Sequence, residues 1–387
     1  MLTRFSSSPV HEEIKTDGVS ELVEEESVKL RPGNRLVSLD AFRGFIMFWI
    51  VDGRGLVVGL QGLGHNRLLD VFVYQLSHSA WQGLRFYDCI WPSFMLMAGA
   101  SVPFSYAKRA QTQTYSQMLA HALKRVAVLF LLGSLRESVS LGSPFLVELS
   151  SALQPIAIAY LVAFLLVRKS PWIQALAGIS LLVGYTLLLA LVPPPGNAVT
   201  PYELNANLVT AFDLTVLGRA HAEGWGTVLS TIPTIPTTIL GLMIGQLLMS
   251  PRPATSKLKV IAVIGLSGLV LGWIVSLFVP VVMKMWTTSY GILTAAWACL
   301  ILLVFYWLID VLGYRKWSFP FVVIGMNALA IYLSGTVTQL SQIVRIFSKA
   351  AAGTLGSFDH LFGAVLLAAV DWLILYWMYR RKIFLNA

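Results

Sequence analysis

Ten continuous apolar runs constrain this chain more than any other feature, near residues 40–60, 87–107, 122–142, 152–167, 172–192, 228–249, 258–281, 288–309, 319–343 and 361–379. Each is long enough to cross, or nearly cross, a hydrocarbon layer of roughly 30 Å. Lipid-facing strands would alternate apolar and polar positions, and these runs do not. The expectation is therefore all-α, a polytopic membrane protein built as a bundle of about ten transmembrane helices. Only 12% of the 387 residues are charged and mean hydropathy is +0.72, against roughly 25% charged in a soluble domain. Residues 1–36 stand apart, with seven acids (Glu12, Glu13, Asp17, Glu21, Glu24, Glu25, Glu26) and five bases (Arg4, Lys15, Lys29, Arg31, Arg35). They lack the basic start and apolar stretch of a secretion signal. A disordered polar cytoplasmic tail is predicted, then one membrane domain over 37–387.

The net charge of +9 is informative through where the bases fall. Ten crossings put both termini on one side. With the N-terminus inside, the inner segments hold Lys108, Arg109, Lys124, Arg125, Arg168, Lys169, Arg252, Lys257, Lys259, Arg315, Lys316, Arg380, Arg381 and Lys382. The outer ones hold Arg67, Arg85, Arg136, Arg219, Lys284, Arg345 and Lys349. This bias places both termini in the cytoplasm and reads the charge as a topology signal, not a nucleic-acid footprint. Cys89 and Cys299 lie in apolar segments and predict buried thiols. The longest loops, 61–86 and 193–227, are outer, and the second opens with Pro193, Pro194, Pro195 and Gly196. Pro233 and Pro236 predict a break or kink in the sixth helix, with freed carbonyls beside protein or a cavity.

Charges inside apolar segments cost about 2.5–3.5 kcal/mol each on insertion scales, which makes each a functional candidate. Here they are Arg43, Asp52, Arg54, Asp88 and Asp371, with His78 just before the second helix. In a continuous helix Asp52 and Arg54 point about 200° apart and do not pair; they mark either a wetted helix end or a site. Arg43 reads as a snorkelling anchor. Asp371 either pairs with Arg54 or lines a cavity. Among six histidines, His78 and His221 sit in outer segments near Trp81 and Trp225. By position alone, such a histidine is more often an interfacial belt residue than a catalyst. No paired metal-ligand spacing, Walker loop, Gly-x-Gly-x-x-Gly turn or nucleophile elbow is visible, which argues against a nucleotide-driven pump.

The stretch from His78 through Trp81, Gly83 and Asp88 to Pro92 and Gly99 reads His-x-x-Trp-x-Gly, then Asp and Pro. With Asp40-Ala-Phe-Arg43-Gly44, Leu153-Gln154, Asp213 with Gly218 and His221, Leu229 to Pro233, Trp286 to Tyr290, Gly325-Met-Asn327 and Tyr379 to Phe384, it resembles the heparan-α-glucosaminide N-acetyltransferase family. The likeness is closest to bacterial members, and places the chain in the transmembrane acyltransferase superfamily. It implies a multi-pass protein of the bacterial inner membrane. Such an enzyme takes acetyl-CoA from the cytoplasm and acetylates an amino sugar or cell-envelope glycan outside, through a path wide enough for a pantetheine arm.

By that resemblance His78 is the catalytic histidine, as acyl carrier or general base. Asp88 either holds its tautomer or caps the second helix. Asp52, Arg54, Trp81, Asp213, His221, Trp286, Ser289 and Asn327 become substrate-side candidates; Lys108, Arg109, Lys124 and Arg125 become candidates for CoA phosphates, and no metal is implied. Competing readings stay open. Asp213 and His221 fit a loop-internal hydrogen-bonded pair, Trp286, Ser289 and Asn327 fit helix packing, and the four bases fit plain topology charge. A sugar permease of the same fold without acyl transfer is the alternative function. Two positions depart from the family: Arg54 stands where many relatives have Asn, and Pro155 where they carry Arg. The expected partners are acetyl-CoA, the glycan acceptor, the lipid bilayer and, as an open question, a second copy forming a homodimer.

Overall fold

Long apolar segments must satisfy their backbone internally, and among the described residues each of the ten runs is mostly helical. The computed structural model describes residues 36–144, 148–193, 200–337, 340–351 and 355–385; the N-terminal tail and the Pro194, Pro195 and Gly196 stop fall outside them. Among the described residues the β structure is one isolated antiparallel bridge, Gln82 to Val282.

Among the described residues, six helices are long and apolar enough by themselves to cross a membrane: Tyr115–Leu141, Pro171–Leu191, Leu229–Met249, Ala254–Ser276, Thr288–Val311 and Gly356–Arg380. The expected count of about ten is not reached by this measure, because the remaining runs are short, broken or diluted. Val37–Val51 (α1) stops at Asp52 and resumes as Gly53–Gln61 (α2). Arg67–Gln75 (α3) lies in the following loop. Ile90–Arg109 (α4), entered through a 3-10 turn at Phe86–Cys89, contains Pro92, Ser93, Ser101 and Pro103. Tyr115–Leu141 is α5, and Leu153–Leu166 (α6) has 14 residues. Pro171–Leu191 is α7, and Leu208–Leu217 (α8) lies in the second long loop. Ile235–Met249 is α9, Ala254–Ser276 α10 and Thr288–Tyr306 α11. Phe319–Met326 (α12) and Ala328–Val337 (α13) are separated by Asn327. Leu340–Ala351 (α14) and Asp359–Arg380 (α15) complete the chain.

The long apolar helices are mostly peripheral, and the irregular ones are central. The Pro171–Leu191, Ala254–Ser276 and Gly356–Arg380 spans are 22%, 17% and 11% buried, against 67% for Leu229–Met249 and 50% for Thr288–Val311. Lipid rewards uniform apolarity, whereas a helix surrounded by protein tolerates breaks and polar residues. Small residues let the inner helices touch backbone to backbone. Gly44 of α1 faces the carbonyl of Phe321, and Gly325 of α12 faces that of Asp40. Gly99 of α4 meets the carbonyl of Thr238, and Gly241 of α9 that of Leu96. These two reciprocal contacts are the small-residue packing by which helices associate in lipid, where no hydrophobic drive remains.

Several expectations are revised. Arg43 does not reach out to anchor the helix: its Nη2 donates to Ser101 Oγ at 2.7 Å and Nη1 lies 3.6 Å from Asp40. Asp52 is not a wetted helix end, since it is buried at the break between α1 and α2, while Arg54 is exposed. Asp371 bonds Ser334 and lies within electrostatic range of Asp52. Pro233 and Pro236 do not kink a continuous helix; they set the change from a 3-10 turn at Leu229–Thr234 to α9, where Pro236 occupies the first turn and lacks only an N–H that would be orphaned anyway. The hydroxyls of Ser230, Thr231 and Thr234 take up the carbonyls of Gly226, Thr227 and Thr231. Cys89 and Cys299 are free and buried.

Candidate functional site

The loop from His78 to Phe86 is fixed by its own backbone. Gly83 adopts φ +118°, a conformation costly for any residue with a Cβ, and its amide donates to Val281 at 2.9 Å beside the Gln82 to Val282 bridge. Trp81 packs with Tyr185 and Val209, and its indole N–H donates to the carbonyl of Tyr202 at 2.9 Å. These tethers explain why tryptophan and glycine stand three and five positions after His78.

Asp88 performs both roles left open by sequence. Its Oδ2 accepts the amide of Arg85 at 2.9 Å, capping the 3-10 turn, and its Oδ1 accepts His78 Nδ1 at 2.8 Å. The amide of Ser79 adds contacts of 3.3 and 3.4 Å to the two oxygens. A carboxylate only accepts, so Nδ1 carries the proton of this hydrogen bond, and among the described residues Nε2 has no hydrogen-bond partner. The Asp88 side chain is fully buried while that of His78 is 44% exposed. The ring is further held edge-on by Tyr87 at 4.7 Å and Trp225 at 5.8 Å.

His78 opens onto a cavity of about 340 Å³. One wall is aromatic, with Tyr87, Trp91 and Trp225; the second is polar, with Arg136, Ser150, Ser151, Thr227, Ser230 and Thr234, and His221 and Tyr332 also line the space. Behind the polar wall is an ionisable cluster that sequence reading missed. Buried Glu137 accepts the amide of Glu148 and the Gln154 side chain, and buried Glu148 holds Arg219 at 2.7 Å and His221 at 3.8 Å. Arg136 and Glu137 lie within the apolar run 122–142, so the rule that singled out Asp52 applies to them equally. Glu148 follows a loop and carries no local signal.

The other sequence candidates distribute as follows. The Nδ1 of His221 accepts from the Glu223 amide at 3.2 Å, and its Nε2 faces Glu148 at 3.8 Å, beyond hydrogen-bond reach. Asp213 is buried beneath the loop and accepts the amides of Thr227 and Val228 at 2.8 and 3.0 Å. Burial pushes its carboxyl up, and these hydrogen bonds oppose the shift. Trp286 is buried behind Trp91, with ring centres 5.0 Å apart. Ser289 donates to the carbonyl of Pro280 at 3.0 Å. Asn327 grips the C-terminal segment, donating to the carbonyl of Ile383 and accepting from the amide of Leu385, both at 3.1 Å. Lys108, Arg109 and Lys124 are exposed, and the Arg125 guanidinium lies 4.5 Å over the Tyr160 ring. Asp52 and Arg54 sit near Tyr87, whose hydroxyl donates to the carbonyl of Trp49 at 2.9 Å.

About one helical turn beyond the cavity residues Ile50, Trp91 and Thr234, where a path through the bundle was expected, lie Met47, Met95 and Ile239, each at most 1% exposed and in one cluster with Ala157. Among the described residues these three side chains form a buried apolar layer below the cavity.

Fold and site together define an all-α multi-pass membrane protein with a carboxylate-oriented histidine at the mouth of a polar and aromatic cavity. By sequence, the chain is a distant relative of the heparan-alpha-glucosaminide N-acetyltransferases. It is 23% identical to that of Mus musculus over 91% of this chain and 60% of the mouse protein. It is likewise 23% identical to that of Homo sapiens, over 90% of this chain and 59% of the human protein. The chain thus spans about 60% of the length of these curated relatives. No family model matches it.

Proposed function

We propose that this protein is an acetyl-CoA-dependent N-acyltransferase acting on the amine of an amino sugar or cell-envelope glycan, with His78 at the reacting centre. The observation that carries this reading is the His78 imidazole, oriented through Nδ1 by Asp88 and free at Nε2 beside the cavity. That nitrogen suits either attack on a thioester carbonyl or removal of a proton from the attacking amine. The distant relationship to N-acetyltransferases supports acyl transfer in general. A cavity of about 340 Å³ is at the small end of ligand sites, which span about 300–1,000 Å³. It accommodates a sugar ring or the tip of a pantetheine arm rather than a whole CoA.

In this reading the His78 face is extracytoplasmic and the donor arrives from the cytoplasmic face, where Lys108, Arg109 and Lys124 are free to meet CoA phosphates. Such a donor must part the layer of Met47, Met95 and Ile239. Methionine is the side chain best suited to that, being unbranched and flexible. The test is purified protein with acetyl-labelled CoA and a panel of amino sugars, first in detergent and then in sealed vesicles of known orientation. Acetylation of an amine with donor and acceptor on opposite sides supports the whole reading. Transfer only with both on the His78 side removes the trans-bilayer route, and sugar flux without acetylation favours a permease.

Asp88→Asn tests the dyad. An amide that donates toward Nδ1 stabilises the wrong tautomer, and kcat is expected to fall by about 10²–10⁴-fold at nearly unchanged melting temperature. Wild-type kcat in that variant would reduce Asp88 to a helix cap.

A further inference from the structure

Arg136 has no role in the reading so far, and its surroundings are unusual. Its guanidinium lines the His78 cavity and lies 4.4 Å over the Tyr332 ring, yet among the described residues none of its five N–H groups has a protein acceptor. The nearby acids are engaged elsewhere. Glu137, next in sequence, accepts from Gln154 and the Glu148 amide, and Glu148 holds Arg219 and faces His221. One further cavity side chain carries a buried donor with no acceptor among the described residues, the Trp91 indole N–H. Native interiors rarely leave such groups unmatched, because each costs its full desolvation penalty. The His78 cavity therefore holds a guanidinium and an indole N–H that no protein acceptor among the described residues meets.

We propose that Arg136 is a catalytic residue that stabilises the oxyanion formed when the acetyl group is transferred, with Trp91 as an auxiliary donor. This rests on the acyltransferase reading above. The overall step breaks the C–S bond of acetyl-CoA and forms a C–N bond to the acceptor amine, and the proton given up by the amine ends on the CoA sulfur. Whether His78 carries the acetyl group or acts as base, the carbonyl carbon becomes tetrahedral and its π pair moves onto oxygen. That oxygen gains a negative charge absent from the ground state. An unpaired guanidinium fixed against an aromatic face meets it without reorganising, the condition under which such stabilisation is most effective.

The test is steady-state kinetics with acetyl-CoA and glucosamine, or whichever amino sugar the wild type accepts, on Arg136→Gln, Arg136→Lys and Trp91→Phe. The last keeps an aromatic ring and removes the indole donor. For Arg136→Gln we expect kcat to fall about 10²–10³-fold with KM for both substrates within about threefold. Arg136→Lys should recover part of that loss, and Trp91→Phe should lose less than Arg136→Gln. Thermal melting checks that each variant folds, and for a variant that does not, the Lys substitution carries the comparison. A rise in KM at unchanged kcat overturns the assignment, placing Arg136 on a ground-state anion of the substrate instead. Unchanged kinetics overturn it as well. If the wild type transfers no acetyl group to any amine, the proposed function fails and this assignment with it; active wild type with unaffected variants sinks the assignment alone.

Discussion

Replacing His78 by alanine is expected to lower acetyl transfer by at least about a thousandfold while leaving the protein folded. Stability should hold because the side chain is 44% exposed, and its loop is tethered through Trp81, Gly83 and the Gln82 to Val282 bridge, not through the imidazole. Activity should not hold, because the other imidazole lining the cavity, His221, has its Nδ1 occupied by the Glu223 amide and its Nε2 turned toward Glu148. The same variant separates the two chemical routes. Brief exposure of wild type to acetyl-labelled CoA without acceptor leaves label on the protein if Nε2 carries the acetyl group, and that label should vanish in His78→Ala. Absence of label in an active wild type selects direct attack by the amine with His78 as base. Acetylation at an undiminished rate by His78→Ala would remove the histidine from the chemistry.

The largest structural effect is expected at the reciprocal glycine contacts. A methyl at Gly44 or Gly99 would overlap the backbone carbonyl of Phe321 or Thr238, and no flexible side chain stands there to yield. The helices must separate, so Gly44→Ala and Gly99→Ala should each cost about 3 kcal/mol or more, seen as lower melting temperature and poor recovery in mild detergent. Gly184→Ala is the control. It has open space around an added methyl and should melt within a degree or two of wild type or slightly higher, since alanine restricts the unfolded chain. Equal melting of Gly99→Ala and wild type would mean that α4 and α9 do not approach as closely as the structure indicates.

The site was legible where function uses residues close in sequence. His78, Trp81, Gly83 and Asp88 form one loop and one turn, so their spacing carries their geometry. Asp88 was readable as cap or orienting group, and the fold lets it be both because its two oxygens point to different donors. Residues far apart in the chain were harder. Asn327 and Asp213 were each open to a substrate-side or a structural reading; Asn327 hydrogen-bonds the C-terminal segment, and Asp213 binds the amides of Thr227 and Val228. Arg136, Glu137 and Glu148 were passed over, the first two because they sit at the end of an apolar run that also reads as a lipid boundary.

The sequence alone determined that the chain is helical and lives in lipid, because continuous apolar runs leave the backbone no other way to satisfy its hydrogen bonds. It also determined the local loop that presents His78. Only the tertiary structure decided which helices are central, that α1 breaks at Asp52, and that the cavity stops at Met47, Met95 and Ile239. Apolarity is a property of each segment taken singly. Which apolar faces meet, and which polar groups are left without partners where they meet, depends on contacts between segments far apart in the chain, and no periodicity within a segment encodes them.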